Sequence, residues 1–598
     1  MKTQNFNPGP TGKWLGHMLV IACLFASSRA LGAGSWSALA NTAHDSVALM
    51  LQLSDGTIMA ANNPSCVFDC IGNAWYRLTP DAFGNYANGN WTTLTSMNDT
   101  RYAYASEVLT DGRVFVAGGE YGSGGSTAEI FDPLANGGAG SWTYINPPTS
   151  LLNPNATPAQ AFVDCQSRVL PNGHVLVAPD SPNVGNGTLI YNPFANTWSQ
   201  GPQSRNWQAE TSWVKLPDDS ILTIDPLNGY RGEPGTNSER YIPSLRQWIP
   251  DANLPVNLWA NIGAASLVGE IGPAFLLPDG RAFFIGGSGH TAYYTPSGNT
   301  NQGSWVQGPD IPQGLVAADA PGAMMPNGKI LVAVAPPPTV SGGNANFPSP
   351  TSFFEFDYTA GANGEFTQTG SPTGGLTDNI ESQQCTMLVL PTGNVLYCHF
   401  EQGNAFYSGF GSQLYVYQSD TGPLAVGKPT ITSITQNSDG SYHLVGTGLN
   451  GISEGAAFGD DAQMNGNYPL VRLTDSGGHV FYGRTYNWSS TSVQTGTKLV
   501  STEFTVPVVG GGTYSLVVVA NGNASDPVTF YGPVWVDFSY LGPQNGSYQM
   551  PFEKLATAVT VVPSGGTVSI KTGLSHETMT IKKPMNIVAF GGAATIGQ

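Results

Sequence analysis

Residues 276–287 read LLPDGRAFFIGG: an apolar run, a Pro-Asp-Gly turn, and a second apolar run ending in two glycines. Short apolar runs on both sides of such a turn predict a β-hairpin whose strands are buried on both faces. The phrase returns, in weaker form, six more times. The seven turns begin at Leu53, Leu109, Leu170, Leu216, Leu277, Met325 and Leu390, spaced 46 to 65 residues apart. A hairpin recurring at such intervals predicts a repeat protein, whose units bury their faces only against one another.

The unit extends beyond the hairpin. A short strand rich in Tyr or Phe follows, ending near a proline, as in Phe131-Asp132-Pro133, Tyr191-Asn192-Pro193 and Tyr294-Thr295-Pro296. A Trp strand comes next, at Trp91, Trp142, Trp198, Trp248 and Trp305. The last hairpin is followed by Leu414-Tyr415-Val416-Tyr417 but by no Trp strand, whereas a spare Trp36 precedes the first. Four strands per unit and seven units predict a seven-bladed β-propeller over residues 34–426. The Trp36 strand is expected to complete the last blade, closing the ring and removing its open edges.

At 598 residues the chain exceeds one ordinary core. Only 10% of residues are charged, against roughly 25% in globular chains, while Gly (75) and Pro (44) abound, so the class is all-β. From Lys428 the rhythm changes to short alternating strands, predicting an early-set immunoglobulin-like β-sandwich over 427–531. Residues 532–598 carry a helical pattern over 551–562 and two strands, and resemble the entry coil of a pectate-lyase-like β-helix. One or two coils cannot bury their own faces, so this segment is expected to dock elsewhere, another chain included.

A formal charge of −18 with 22 Lys plus Arg argues against a nucleic-acid partner, which needs clustered cations. Lys2 and Lys13, an apolar run from Trp14 to Ala26, and small residues at Ala30, Gly32 and Ala33 make 1–33 a secretory signal. The product is then secreted or extracellular; residues 20–23, VIAC, offer lipid anchoring through Cys23 as the alternative. No other stretch is long enough to cross a membrane. Cys66 and Cys70 are a candidate disulfide in an oxidising compartment. Cys385 and Cys398 are a second candidate pair, which leaves Cys165 single.

Residues 108–119, VLTDGRVFVAGG, and 276–287 look like kelch repeats, and seven blades followed by a sandwich resemble the galactose oxidase and glyoxal oxidase group. The resemblance spans roughly 34–530. It implies a copper-radical oxidase whose metal is held by a Tyr, a Tyr-His pair and a cross-linking Cys at inner-strand starts, with a His from the sandwich. In the common register the Tyr-His pair falls on Gln383-Gln384, the cross-linked Tyr on Ala103, the Cys on Ala48 and the sandwich His near Gln463. Tyr121 alone matches the aromatic that shields the radical. Copper takes imidazole or thiolate donors, and these positions offer amides and methyl groups. Copper is therefore not expected, and no cofactor is predicted.

Counting back six or seven residues from each turn brings Asp164, Glu210, Glu270 and Asp319 to the mouth of the central channel. Arg101, Tyr102, Glu120, Tyr121, Asp180, Trp207, Asp225, His290, Glu381 and His399 join them on that face. The favoured reading is a funnel for extracellular carbohydrate or a surface polymer. Carboxylates accept sugar hydroxyls, Tyr102, Tyr121 and Trp207 stack on sugar rings, and Arg101 orients an anionic group. The alternatives are an enzyme, either a diverged carbohydrate or aldehyde oxidase or a glycan hydrolase or lyase using Asp164, Glu210, Glu270 and Asp319 as acid and base; Ca²⁺ among the acids; and a structural surface protein. The plain alternative for each acid is a strand-end cap that holds channel water.

Overall fold

The computed structural model describes residues 34–597 apart from 63–70, 154–161, 163–164, 180–186, 206–207, 209–210, 226–234, 261–269, 342–343, 400–412, 460–461, 507–508 and 510. The expected secretory signal with Cys23, the candidate Cys66–Cys70 pair, Asp164, Asp180, Trp207 and Glu210 lie outside the described residues.

All seven turns fold alike. The amide of the first residue donates to the carbonyl four residues on (Leu53 to Thr57, 2.8 Å; Leu277 to Arg281, 2.7 Å; Leu390 to Asn394, 2.8 Å), and the fourth residue donates back to the first. That fourth residue lies in the left-handed region. Six are glycines, at φ 76–87°, and the seventh is Asp219 at φ 66°, Asp being among the few side chains that tolerate this backbone. In six turns the third residue is Asp or Asn, whose side chain accepts the amide two residues on, as Asp279 does from Arg281 at 3.1 Å.

Each repeat except the sixth builds one four-stranded antiparallel sheet, and the sixth hairpin, Pro321–Met324 with Ile330–Val334, heads a seven-stranded one. First strands of the repeats lie beside one another: Val47–Gln52 next to Cys385–Val389, Ala105–Val108 next to Gln166–Val169, and Val214–Lys215 next to Ala274–Leu276. The sheets are thus arranged like propeller blades about their first strands, which are buried throughout. Ser35–Ala38 pairs antiparallel with Leu414–Gln418, Trp36 opposite Tyr417, so a strand from the start of the fold completes the last repeat. The Trp36 ring packs on Tyr417, Tyr397 and Phe353 at 4.8, 5.4 and 5.4 Å. Its indole N–H donates to the Gly370 carbonyl at 2.7 Å.

From Thr430 an eight-stranded antiparallel system forms around Tyr442, Leu444, Phe504, Leu516 and Phe530. It sits on the turn face of the repeats. Thr485 N donates to Ser54 O (3.1 Å), Trp488 N to Thr110 O (3.2 Å), Thr491 Oγ1 to Leu170 O (3.1 Å) and Gln494 Nε2 to Leu277 O (2.6 Å). Out of this system a hairpin, Gly455–Phe458 and Ala462–Asn465, runs among the first strands and pairs with Pro321–Met324, Ala457 opposite Gly322. It also lies beside Val47–Gln52, Ala105–Val108 and Cys385–Val389.

Buried charge fixes the hairpin's base. Arg168 Nε lies 3.0 Å from Glu454 Oε1, and Glu454 Oε2 accepts the Lys215 amide at 3.1 Å. Lys215 Nζ donates to the Val169 and Thr491 carbonyls, both at 2.9 Å. Glu107 accepts from Ser167 (3.1 Å) and Asn465 (3.3 Å). Buried charges are tolerated when paired and hydrogen-bonded in this way, and removing one partner strands the other.

After this eight-stranded system, Val534–Val536, Thr567–Ser575 and Asn586–Ile596 form a three-stranded parallel sheet, with the helix Leu555–Val561 packing Leu555 and Ala558 on Val534, Val536, Val568 and Ile570. The helix is shorter than the 551–562 pattern and stops ahead of Pro563, as the residue before a proline favours extended backbone. Among the described residues no helix is long and apolar enough to cross a membrane. The expected Cys385–Cys398 bridge is corrected: Cys385 pairs with His399 and Cys398 with Thr386, so the two side chains, one register step apart, point to opposite faces. Cys385 Sγ lies 3.1 Å from Tyr397 Oη, and Cys398 Sγ 2.8 Å from the Val47 carbonyl.

Candidate functional site

Two of the expected site residues come together. Arg101–Tyr102 and Tyr121–Gly122 form a two-stranded ladder of their own, separate from the blades, with Tyr102 opposite Tyr121 and their half-buried rings stacked 6.0 Å apart at 28°. Glu120 stands next to this pair, its amide donating to the Ala103 carbonyl at 3.0 Å. The ladder closes because Gly118 and Gly119 both take positive φ, 80° and 138°. A Cβ at Gly118 would lie 2.1 Å from the Phe162 carbonyl oxygen, which only glycine avoids.

Beside the tyrosines a small pocket opens against the hairpin. Ala48, Leu49, Ala61, Ala103 and Phe458 give it an apolar wall; Asn62, Arg101, Tyr102, Tyr104 and Thr386 are its polar lining residues. The Tyr104 hydroxyl is buried and has no hydrogen-bond partner. Burial pushes its pKa well above that of an ordinary phenol, so it stays protonated. Ala103 adopts φ 50°, a left-handed backbone held without glycine; Asp319, its equivalent in another repeat, adopts φ 48°. Such residues cost on the order of 1–3 kcal/mol each and concentrate at binding sites.

Arg101, expected to orient an anionic group, lines the pocket. Its side chain is fully buried, ion-paired with Glu129 at 3.0 Å, and donates to the Gly118 and Gly124 carbonyls at 2.7 and 2.8 Å. It anchors the ladder and at the same time contributes to the lining of the pocket. Asp225 is likewise buried, accepting from Asn237 at 3.3 Å. His290, just ahead of the strand Thr291–Thr295, pairs with Asp310 at 2.8 Å. His399 pairs with the buried Asp378 at 2.7 Å. Burial raises the Asp378 pKa, but hydrogen bonds from His399, Thr373 and Tyr397 outweigh it and hold the carboxyl below its ordinary value.

Glu381 accepts from Gln383 at 2.7 Å and Gln384 at 3.1 Å, closing the turn Ser382–Gln384 next to Thr386 of the pocket. Glu270 is half-buried and bridges to Ala260 through its backbone. The Asp319 carboxylate packs against Gly459 at the hairpin end. Of the four acids considered for acid–base work, Glu270 and Asp319 are therefore the two that are described.

The positions that the oxidase resemblance assigns to copper donors hold Ala48 and Ala103 in the pocket wall and the amides of Gln383 and Gln384, both turned to Glu381. This donor set does not suit copper. Among the described residues no three His, Cys, Asp or Glu side chains converge on a point that could hold a metal ion. Tyr104, Asn62 and Phe458 are the site residues that register counting missed: Tyr104 lies beyond the left-handed Ala103, where alternation breaks, and Phe458 arrives from a distant hairpin.

No family model matches the chain, and no curated protein matches it. Among solved structures, a fungal alcohol oxidase of the AA5 family in complex with copper aligns at 14% identity over 84% of this chain and 99% of its own, with a TM-score of 0.46. YjhT aligns at 12% identity over 68% of this chain and 96% of its own, with a TM-score of 0.30. Likenesses at this level carry no argument about the chemistry of this site.

Proposed function

We propose that this chain is a secreted carbohydrate-binding protein: a seven-bladed kelch-type propeller, an immunoglobulin-like sandwich on its turn face, and a β-helix-like coil at the end. Its ligand is an extracellular glycan or surface polymer, bound at the mouth opposite the sandwich. The supporting observation is the Tyr102–Tyr121 pair, an aromatic wall held outside the blades by a dedicated ladder, with Glu120 beside it and a pocket beneath. Aromatic faces take the apolar face of a pyranose, and a carboxylate accepts its hydroxyls in pairs. Binding is favoured over oxidase chemistry because the donor positions carry methyls and amides. It is favoured over glycosidase chemistry because the Asp319 carboxylate lies against the hairpin. Titration of a panel of oligosaccharides into the full chain, read by calorimetry, tests the proposal. Replacing Tyr102→Ala and Tyr121→Ala together is expected to weaken the best ligand by about tenfold or more, an aromatic contact contributing ~0.5–1.5 kcal/mol. Undiminished affinity in the double variant refutes this site.

A further inference from the structure

The pocket beside Tyr102 does not resemble the rest of a polyhydroxyl site, and the difference specifies what enters it. Resting on the carbohydrate reading above, we propose that this pocket seats the acetyl group of an N- or O-acetylated saccharide while the sugar ring lies against the Tyr102–Tyr121 wall. Three alanines, Ala48, Ala61 and Ala103, with Leu49 and Phe458, make a surface suited to a methyl group. A free sugar hydroxyl or an ammonium would lose its water there for little return, and burying unpaired polar groups is unfavourable. Two polar groups of its lining are buried without a partner, the Tyr104 hydroxyl, in a residue only 3% exposed, and Arg101 Nε. A protonated phenol in that state lacks an acceptor, and an acetyl carbonyl oxygen is an acceptor carried next to a methyl.

Size agrees. The enclosed part of the pocket takes about two or three heavy atoms, an acetyl tip, and not a whole ring. The left-handed backbone at Ala103 is part of the same construction. It turns the chain between Tyr102 and Tyr104 so that one ring joins the wall and the other lines the pocket, at a position where a larger side chain would occupy the space. Tyr102 belongs to both parts, so wall and pocket are read by one ligand.

The test pairs ligands that differ only in acetylation: chitotriose against its de-N-acetylated form, and O-acetylated xylo-oligosaccharide against the alkali-deacetylated form, each titrated into the full chain. At least one acetylated member is expected to bind about tenfold tighter than its partner, and which pair shows the difference separates the N- from the O-acetyl source. Tyr104→Phe is expected to lose roughly three- to tenfold for the acetylated ligand and nothing for the deacetylated one. Its melting temperature should be unchanged or raised, since it removes an unpartnered hydroxyl, so a folding failure does not mask the result. Ala48→Val, which fills the pocket, is expected to abolish the preference. Equal binding of acetylated and deacetylated ligands, still sensitive to Tyr102→Ala, overturns the acetyl assignment and leaves the carbohydrate reading standing. No binding of any of the four overturns both.

Discussion

Removing the strand that closes the ring should undo the whole ring. Ser35–Ala38 forms a four-residue antiparallel ladder with Leu414–Gln418, which carries about four backbone hydrogen bonds at a net ~1 kcal/mol each. Trp36 adds its packing on three aromatic rings and its bond to Gly370. Truncating a buried aromatic to Ala costs about 3–5 kcal/mol, and Trp36 is half-buried, which puts it near the lower end. The strand therefore contributes on the order of 7 kcal/mol, comparable to the whole stability of an ordinary domain, about 5–15 kcal/mol. Trp36→Ala alone should lower the unfolding free energy by about 3 kcal/mol in a urea titration followed by fluorescence. Deleting residues 34–42 should abolish the cooperative transition. By hydrogen exchange, amides across the ring, in Val47–Gln52 and Pro321–Met324 as much as in Leu414–Gln418, should lose protection together. If the deletion exposes only Leu414–Gln418 while the remote strands keep their protection, closure is not what holds the sheets together.

Two further outcomes follow from the buried groups. Burial pushes the Glu107 carboxyl up to about 7 from 4.5, the charges of Arg168 and Lys215 opposing the rise, so the fold takes up a proton between those values. The contribution of Glu107 is full below pH 4.5 and is lost as pH rises through 7, on the order of 3 kcal/mol in all at ~1.4 kcal/mol per unit. Glu107→Gln should flatten the decline of the urea midpoint between pH 5 and 8, and an unchanged slope would mean Glu107 is ionised in the fold. Gly118→Ala places a methyl 2.1 Å from the Phe162 carbonyl at φ 80°, and should cost about 2–4 kcal/mol in thermal unfolding, with loss of the Tyr102–Tyr121 stacking in near-ultraviolet dichroism; a wild-type melt would show that the loop accommodates the methyl.

The turns were legible because their chemistry is local. Asp or Asn followed by Gly sets the bend and its two hydrogen bonds within five residues, and even the Asp219 variant obeys the same geometry. Ring closure was legible as an omission, a repeat lacking its Trp strand and a Trp strand lacking its repeat. The hairpin 455–465 was not. Its partner, Pro321–Met324, lies more than a hundred residues back, and GAAFGDDAQMN carries neither clean alternation nor repeat phrasing. The burial of Arg101 was not legible either: near a mouth, a lone cation reads as solvent-facing, and its partners Glu129, Gly118, Gly124 and Thr127 all come from later in the chain. Tyr104 was missed because period-two counting fails wherever the backbone goes left-handed, as it does one residue earlier.

The hairpin among the first strands has a consequence for traffic. A ring of blades left open would be a conduit, with two ends and a through-flow of solvent. Here the bore is corked by Gly455–Phe458 and Ala462–Asn465, and the far end is covered by the domain that supplies the cork. What remains is a cup. A guest bound as proposed would leave by the door it came in, so its residence time would be governed by a single rim, and the Tyr102 side of that rim is where a substitution would change departure before it changed anything else.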